Sequence, residues 1–167
     1  MSQLPNLEDL GDISGKRVLV RTDFNVPLDD GVIRDDLRIR EAIPTLKYLV
    51  DNGAEVTACT HLGRPKGKFE EKYSLNPVRA RLNEILPGIK LLDNLRFNPG
   101  EELNDPQFIE QLVAGQDMYV NDAFGASHRK HASITGPPQL LPSAAGRLLQ
   151  NEVEILLQVR NKPKRPF

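Results

Sequence analysis

The stretch Arg17-Val18-Leu19-Val20-Arg21-Thr22-Asp23-Phe24-Asn25-Val26-Pro27 decides how the chain is read. It opens as a short apolar run rich in β-branched residues, the pattern of a buried strand. It then turns polar, with Arg21, Asp23 and Asn25 closely spaced where the strand runs out. Pro27 has no N–H to give to a ladder, so pairing ends by that point. In an open parallel sheet, ligands bind outside the carboxyl ends of the strands. A strand ending in Arg, Asp and Asn is therefore a candidate floor for a polar site. Taken alone, the same residues fit a solvated loop equally well. The later strands separate the two readings.

Three more strands end the same way. Glu55–Thr60 runs into His61-Leu62-Gly63-Arg64-Pro65, and Ile89–Leu92 into Asp93-Asn94-Leu95-Arg96-Phe97. Asp117–Asn121 runs into Asp122-Ala123-Phe124-Gly125-Ala126-Ser127-His128-Arg129-Lys130-His131. Helical patterns lie between them. Asp35 or Asp36 caps a helix to about Asn52, with Gly53 as its stop and a stripe of Ile39, Ile43, Leu46, Leu49 and Val50. Pro44 either begins the main part of that helix or kinks it. Asn76 and Pro77 open a second helix that Pro87-Gly88 ends; Asp105 and Pro106 open a third that stops at Gly115. Ser143 caps a last helix to about Arg160, with Ala145, Leu148, Leu149, Val153, Leu156 and Leu157 on its apolar side. Strand and helix alternating in this way predict an α/β fold: a three-layer, Rossmann-like parallel sheet with helices on both faces. A further strand is possible around Ala132–Thr135.

Composition narrows the function classes. The 167 residues suffice for one full domain; hydrophobic content is 39% and charged content 27%. A net charge of −1, no Trp and 5% aromatics argue against nucleic acid as a partner. No run approaches the length of a membrane span and no secretory signal opens the chain, so the expected setting is cytoplasmic. The single cysteine, Cys59, lies in an apolar run and reads as core.

Parallel topology puts the strand exits on one sheet edge. They carry Arg21, Asp23 and Asn25; His61 and Arg64; Asn94 and Arg96; Asp122, His128, Arg129 and His131, with Arg38 near a helix start. The excess of Arg over Lys is informative, because the guanidinium fork binds phosphate and carboxylate bidentately. The pattern predicts a basin for a small molecule with more than one anionic group. In the bland alternative each Arg pairs with a local acid, for example Arg21 with Asp23. Other chemistries fail on detail. Gly63-Arg64-Pro65-Lys66-Gly67-Lys68-Phe69 is one residue short of a P-loop and has Phe where a hydroxyl should hold magnesium. No G-x-G-x-x-G follows the first strand, and no G-x-S-x-G elbow occurs. His61, His128 and His131 lack a further ligand for a tetrahedral metal site, so no metal is expected in this chain.

In order, Arg21-Thr22-Asp23-Phe24-Asn25-Val26-Pro27, His61-Leu62-Gly63-Arg64-Pro65, Asn94-Leu95-Arg96-Phe97 and Asp122-Ala123-Phe124-Gly125 through His128-Arg129 resemble the signature blocks of the phosphoglycerate kinase family. The resemblance spans about residues 10–167 and points to the amino-terminal, 3-phosphoglycerate-binding half. It implies that Asp23 and Asn25 hold the hydroxyl and carboxylate side of the glycerate. Arg38 would lie nearest the transferred phosphoryl group, as the catalytic residue. His61, Arg64, Arg96 and Arg129 would clamp the 3-phosphate with Arg21 behind them, and Phe24, Leu62 and Gly63 would complete the substrate site. Thr60, Asp93 and Ala126-Ser127 depart from the family pattern without removing a charged contact.

The implied activity is phosphoryl transfer between 1,3-bisphosphoglycerate and ADP, giving 3-phosphoglycerate and ATP, in glycolysis. Residues 1–142 would be the substrate-binding domain, 143–162 an interdomain helix, and 163–167 the start of a link to a second domain. That second domain would carry Mg-ADP or Mg-ATP and close about a hinge. The expectations are a fragment that binds substrate without turnover, a full enzyme that is a monomer, and no nucleic-acid or membrane partner. The rival reading is a non-catalytic anion-binding module on the same fold.

Overall fold

In the computed structural model, which describes residues 4–162, the opening stretch forms the central strand β1 (Arg17–Arg21). A hairpin, β2 (Leu28–Asp29) and β3 (Val32–Ile33), follows at once. Its turn residues, Asp30 and Gly31, both have positive φ (48° and 73°), the twist that two-residue hairpins require. Then come α1 (Leu37–Asp51), β4 (Glu55–Cys59), α2 (Asn76–Ile85) and β5 (Lys90–Leu91). The chain continues through α3 (Pro99–Glu102), α4 (Pro106–Val113), β6 (Met118–Asn121), α5 (Ala132–Thr135) and α6 (Pro137–Leu140). It ends in β7 (Ser143–Ala145) and α7 (Arg147–Asn161).

The main sheet is parallel, in the order β5-β4-β1-β6-β7. Its register brings the strand exits together. Arg21, the last residue of β1, pairs with Cys59 of β4 on one side and with Asn121 of β6 on the other. Asn121 in turn pairs with Ala145 of β7. The three central exits therefore leave the sheet at one level. Successive β1 residues face opposite layers, as a pleated strand demands. Val18 and Val20 pack with Ile39, Leu46, Leu49, Val78 and Leu82 from α1 and α2. Leu19 packs on the other face, with its sheet neighbour Tyr119 and with Phe108, Leu112 and Ala132 from the opposite layer. Cys59 is core, and burial pushes its thiol up to about 12. The expected sheet with helices on both faces is the fold observed. No helix of the described residues is long and apolar enough to cross a membrane.

Two expectations are corrected. Ser143 does not cap a helix running to Arg160. Ser143–Ala145 is the fifth strand, paired to Tyr119–Asn121, and the helix begins only at Arg147. Gly146 N–H donates to the Asn121 carbonyl at 2.8 Å, and a Cβ there would lie 2.1 Å from Asp122 Oδ1. The small Ser-Ala-Ala-Gly run suits a tight sheet edge better than a helix turn, and the apolar spacing across it is a coincidence of strand and helix periods. Of the expected helix stripe only Leu149 is buried among the α7 residues, and Ala145 is buried within β7. Ser143–Ala145 thus belongs to the sheet rather than to the helix at 143–162. Ala132–Thr135, a possible strand, is the short helix α5. Pro44 lies inside α1 on its exposed side and does not begin the helix. The 163–167 segment lies outside the described residues.

Candidate functional site

The floor of the basin is built from Arg21. Its side chain is fully buried, which demands partners for its donors. Nε donates to Ser133 Oγ (2.8 Å), one amino group to the Thr22 carbonyl, and the other to His61 Nδ1 (2.9 Å). Arg21 therefore does not pair with Asp23. Asp23 takes Arg38 instead, with Nη1 at 2.8 Å from Oδ2. This joins the β1 exit to the first turn of α1, beside a cleft of about 230 Å3 lined by Asp23, Arg38, Phe124, Gly125, Leu148 and Glu152.

The β4 exit is held by neighbouring amides. Asn94 Nδ2 donates to the Leu62 carbonyl (2.7 Å) and to that of Tyr73 (3.1 Å), and Leu62 N–H donates to Asn94 Oδ1. Gly63 N–H donates to Asn25 Oδ1 (3.1 Å), and Arg96 Nη1 donates to the Gly63 carbonyl (2.9 Å). Asn25, Gly63 and Arg96, from three different strand exits, are thereby tied together. Gly63 has φ 63°, and a Cβ on it would stand 2.2 Å from the Tyr73 ring. Gly63→Ala must strain the backbone and displace that ring. The expected loss is about 2 kcal/mol or more of stability, with weakened anion binding as Asn25 and Arg96 lose their anchor. Urea unfolding of both proteins checks this, and equal midpoints would refute it.

Arg96 is almost fully buried, and its Nε lies 3.3 Å from Glu102 Oε1, the nearest counter-charge. Arg64 and Arg129 are exposed, and their guanidinium groups make no hydrogen bond or ion pair with the described residues. Burial pushes His61 down to about 2, with the guanidinium charges of Arg21, Arg96 and Arg129 adding to it. His61 is thus a neutral ring among cations. Three exit residues turn away from this task. Asp122 is fully buried, and its Oδ1 accepts from the amides of Leu148 (3.0 Å) and Leu149 (3.3 Å) at the start of α7. Burial raises its carboxyl to about 6, against the pull of the Thr45 hydroxyl and those amides. Phe24 and Leu62 are also buried, in the core cluster, so their side chains support the site from below. Among the described residues no group of three His, Cys, Asp or Glu could hold a metal ion.

The model of the phosphoglycerate kinase family matches residues 7–167. The chain belongs to the phosphoglycerate kinase family. It is 48% identical to phosphoglycerate kinase of Dictyoglomus turgidum over 93% of this chain and 45% of that protein. It is 50% identical to the chloroplastic phosphoglycerate kinase of Volvox carteri over 95% of this chain and 41% of that protein. The structure of phosphoglycerate kinase from Coxiella burnetii superposes with a TM-score of 0.91 at 34% identity, covering 98% of this chain and 47% of that one. The chain thus spans under half the length of the curated relatives it matches.

The departures from the phosphoglycerate kinase pattern keep a polar role in this fold. Thr60 Oγ1 accepts from Phe24 N–H at 2.9 Å. Ser127 Oγ accepts from Asn121 Nδ2 and donates to the Ala123 carbonyl. Asp93 is exposed and faces Arg79 at 3.4 Å. Two residues that sequence reasoning missed lie beneath the basin, Glu101 and Ser133. Both are fully buried, and Ser133 donates to Glu101 through N–H (2.7 Å) and Oγ–H (2.6 Å). In sequence Glu101 is one of two adjacent acids opening a short helix, a pattern that normally marks solvent exposure. Only its neighbour Glu102 is exposed.

Proposed function

We propose that this chain is the part of a phosphoglycerate kinase that binds 3-phosphoglycerate and 1,3-bisphosphoglycerate. The observation that carries this reading is the convergence of Arg21, His61, Arg96, Asp23 and Asn25 just past the strand ends, joined by the Arg21–His61, Gly63–Asn25 and Arg96–Gly63 hydrogen bonds, with Arg38 latched to Asp23 at the side. Arg129 acts on His61 and on Arg96, so the rim carries more positive charge than its local acids neutralise. Such a basin suits a ligand with a phosphate at one end and a carboxylate or acyl phosphate at the other. His61, Arg64, Arg96 and Arg129 take the phosphate, Asp23 and Asn25 the hydroxyl and carboxylate side, and Arg38 the transferred group.

The reaction passes a phosphoryl group to ADP in glycolysis, or back from ATP. In the reverse direction the nucleophile is a carboxylate, already ionised at neutral pH, so no general base is needed. Positioning and charge stabilisation then supply the rate. Mg-ADP or Mg-ATP binds in the remainder of the whole protein, a cytoplasmic monomer that closes about a hinge. Residues 4–145 form the substrate domain and α7 leads toward the nucleotide domain. The exposed Ile155, Leu156, Leu157 and Val159 on α7 support that role for the helix.

An amide NMR titration of these 167 residues tests the reading. Saturable shifts at Asp23, Asn25, His61, Arg96 and Arg129 with 3-phosphoglycerate, and none with Mg-ATP, are expected, without turnover. A well-dispersed spectrum with no site-specific response would overturn it.

A further inference from the structure

Beneath the basin runs a buried chain of side chains whose hydrogen bonds have only one possible direction. Arg21 carries donors and no acceptor, so the lone pair in the Arg21–His61 contact belongs to His61 Nδ1. The ring proton must then sit on Nε2. Ser133 Oγ stands 2.8 Å from Arg21 Nε and 2.6 Å from Glu101 Oε2. Having one proton, it accepts from the guanidinium and donates to the carboxylate. Glu101 Oε1 also accepts the Ser133 N–H, and Tyr119 donates its hydroxyl to the Ser133 carbonyl at 2.6 Å. Ser133 is thus held at its amide, its hydroxyl and its carbonyl. Glu101, Ser133, Arg21 and Tyr119 are all fully buried. No direct ion pair joins Arg21 to Glu101; the hydroxyl of Ser133 stands between the two charges.

We propose that Glu101 and Ser133 are positioning residues which, through Arg21, lock His61 as its Nε2–H tautomer and aim that uncharged donor at the anion in the basin. His61 Nε2 has no hydrogen-bond partner among the described residues, and His61 keeps 8% of its surface exposed, which leaves that nitrogen free for a ligand. The groups that act on the ring are Arg21, Arg96, Arg129 and His131, none of them an acid. A donor of fixed direction adds a hydrogen bond to the bound phosphate without placing one more charge beside three arginines. The proposal deepens the substrate reading above and rests on it for the identity of the ligand; the tautomer itself can be read without ligand.

The test is long-range proton–nitrogen NMR of 15N-histidine-labelled chain, with 3-phosphoglycerate binding measured alongside. In the wild type, His61 Nδ1 should resonate as an unprotonated ring nitrogen and Nε2 as a protonated one, with no change from about pH 7.5 to about 5.5. Ser133→Ala removes the acceptor for Arg21 Nε. It should move both nitrogens toward the tautomeric average and weaken 3-phosphoglycerate about tenfold. Ser133→Thr keeps the hydroxyl and should restore both readouts. Glu101→Gln turns a donor toward Ser133 Oγ and should behave like Ser133→Ala. A wild-type His61 protonated on Nδ1, or doubly protonated, overturns the proposal even if no variant folds. So does a folded Ser133→Ala with unchanged nitrogen shifts and affinity. If His61 shows the expected tautomer but 3-phosphoglycerate does not saturate the wild type, the substrate reading fails and the lock stands.

Discussion

Arg38→Ala in the full-length enzyme is expected to lower kcat by roughly a thousandfold or more, with the affinity for 3-phosphoglycerate changed by less than about tenfold. The asymmetry follows from where Arg38 sits. Its side chain is half exposed in the first turn of α1 and reaches the basin only through Asp23. It is not among the cations that crowd His61 and Arg96. It can therefore meet charge that develops on the transferred group while contributing little to ground-state capture. Folding should be spared, since an ion pair this exposed contributes at most about 1 kcal/mol. Arg38→Lys keeps the charge but loses the planar fork, and should recover only part of the rate. Steady-state kinetics with a thermal melt of each variant decide the matter. A folded Arg38→Ala enzyme within tenfold of wild type would remove Arg38 from the mechanism and favour the plain anion-binding reading.

The second large effect concerns acid stability, where two buried groups oppose each other. His61 falls from 6.5 to about 2 on folding. Below pH 6.5 the unfolded chain binds a proton that the folded chain refuses, so stability drops by about 1.4 kcal/mol per pH unit. Asp122 rises from 3.8 to about 6. Between those values the folded chain binds the extra proton, so stability climbs as pH falls, at the same slope and with the opposite sign. From pH 6.5 to pH 4.5 His61 removes about 2 kcal/mol and Asp122 returns nearly as much. His131, which burial holds below its ordinary 6.5, adds a loss of the same sign as that of His61. Glu8 and Asp36, whose carboxyls are held low by Arg147 and by Arg40 and Arg81, act mainly below this window.

The wild type should therefore lose only about 1 kcal/mol across it. Asp122→Asn can keep an acceptor for the Leu148 and Leu149 amides but no longer titrates. It should lose about 3 kcal/mol over the same range. His61→Asn, whose Oδ1 can take the Nδ1 position toward Arg21, should instead gain stability on acidification. Urea unfolding of the three proteins at pH 6.5 and pH 4.5 measures all three slopes, and parallel curves would refute the account.

Much of the fold was legible because it depends on local chemistry. β1, β4, β6 and helices α1, α2 and α4 follow from apolar runs, prolines and glycine stops that act over a few residues, although of the expected side-chain caps that of Asp105 on α4 forms while neither Asp36 nor Asn76 caps its helix. The fifth strand was not legible. Ser143-Ala144-Ala145 has no strand propensity of its own; it is a strand because β6 offers an open ladder beside it and Asp122 leaves room only for glycine at 146. The basin residues were visible as a surplus of Arg and His at strand exits. Their division of labour was not: Asp122 looked like a site carboxylate and instead holds the start of α7, while the Arg21–Asp23 pair of the bland alternative gives way to Arg38–Asp23, and Arg21 lies fully buried.

The sequence by itself determined an α/β parallel sheet, the gathering of Arg and His at one edge of it and the family to which it belongs. Each of these is set by residue type and short spacing. Only the tertiary structure decided which charges pair with each other, that Glu101 and Ser133 stand beneath Arg21, and that His61 presents a protonated Nε2. Those facts depend on contacts between residues up to 112 positions apart, as in Arg21 with Ser133. In a buried site the direction of a hydrogen bond is set by whichever donor or acceptor the fold brings opposite, and no local pattern encodes that choice.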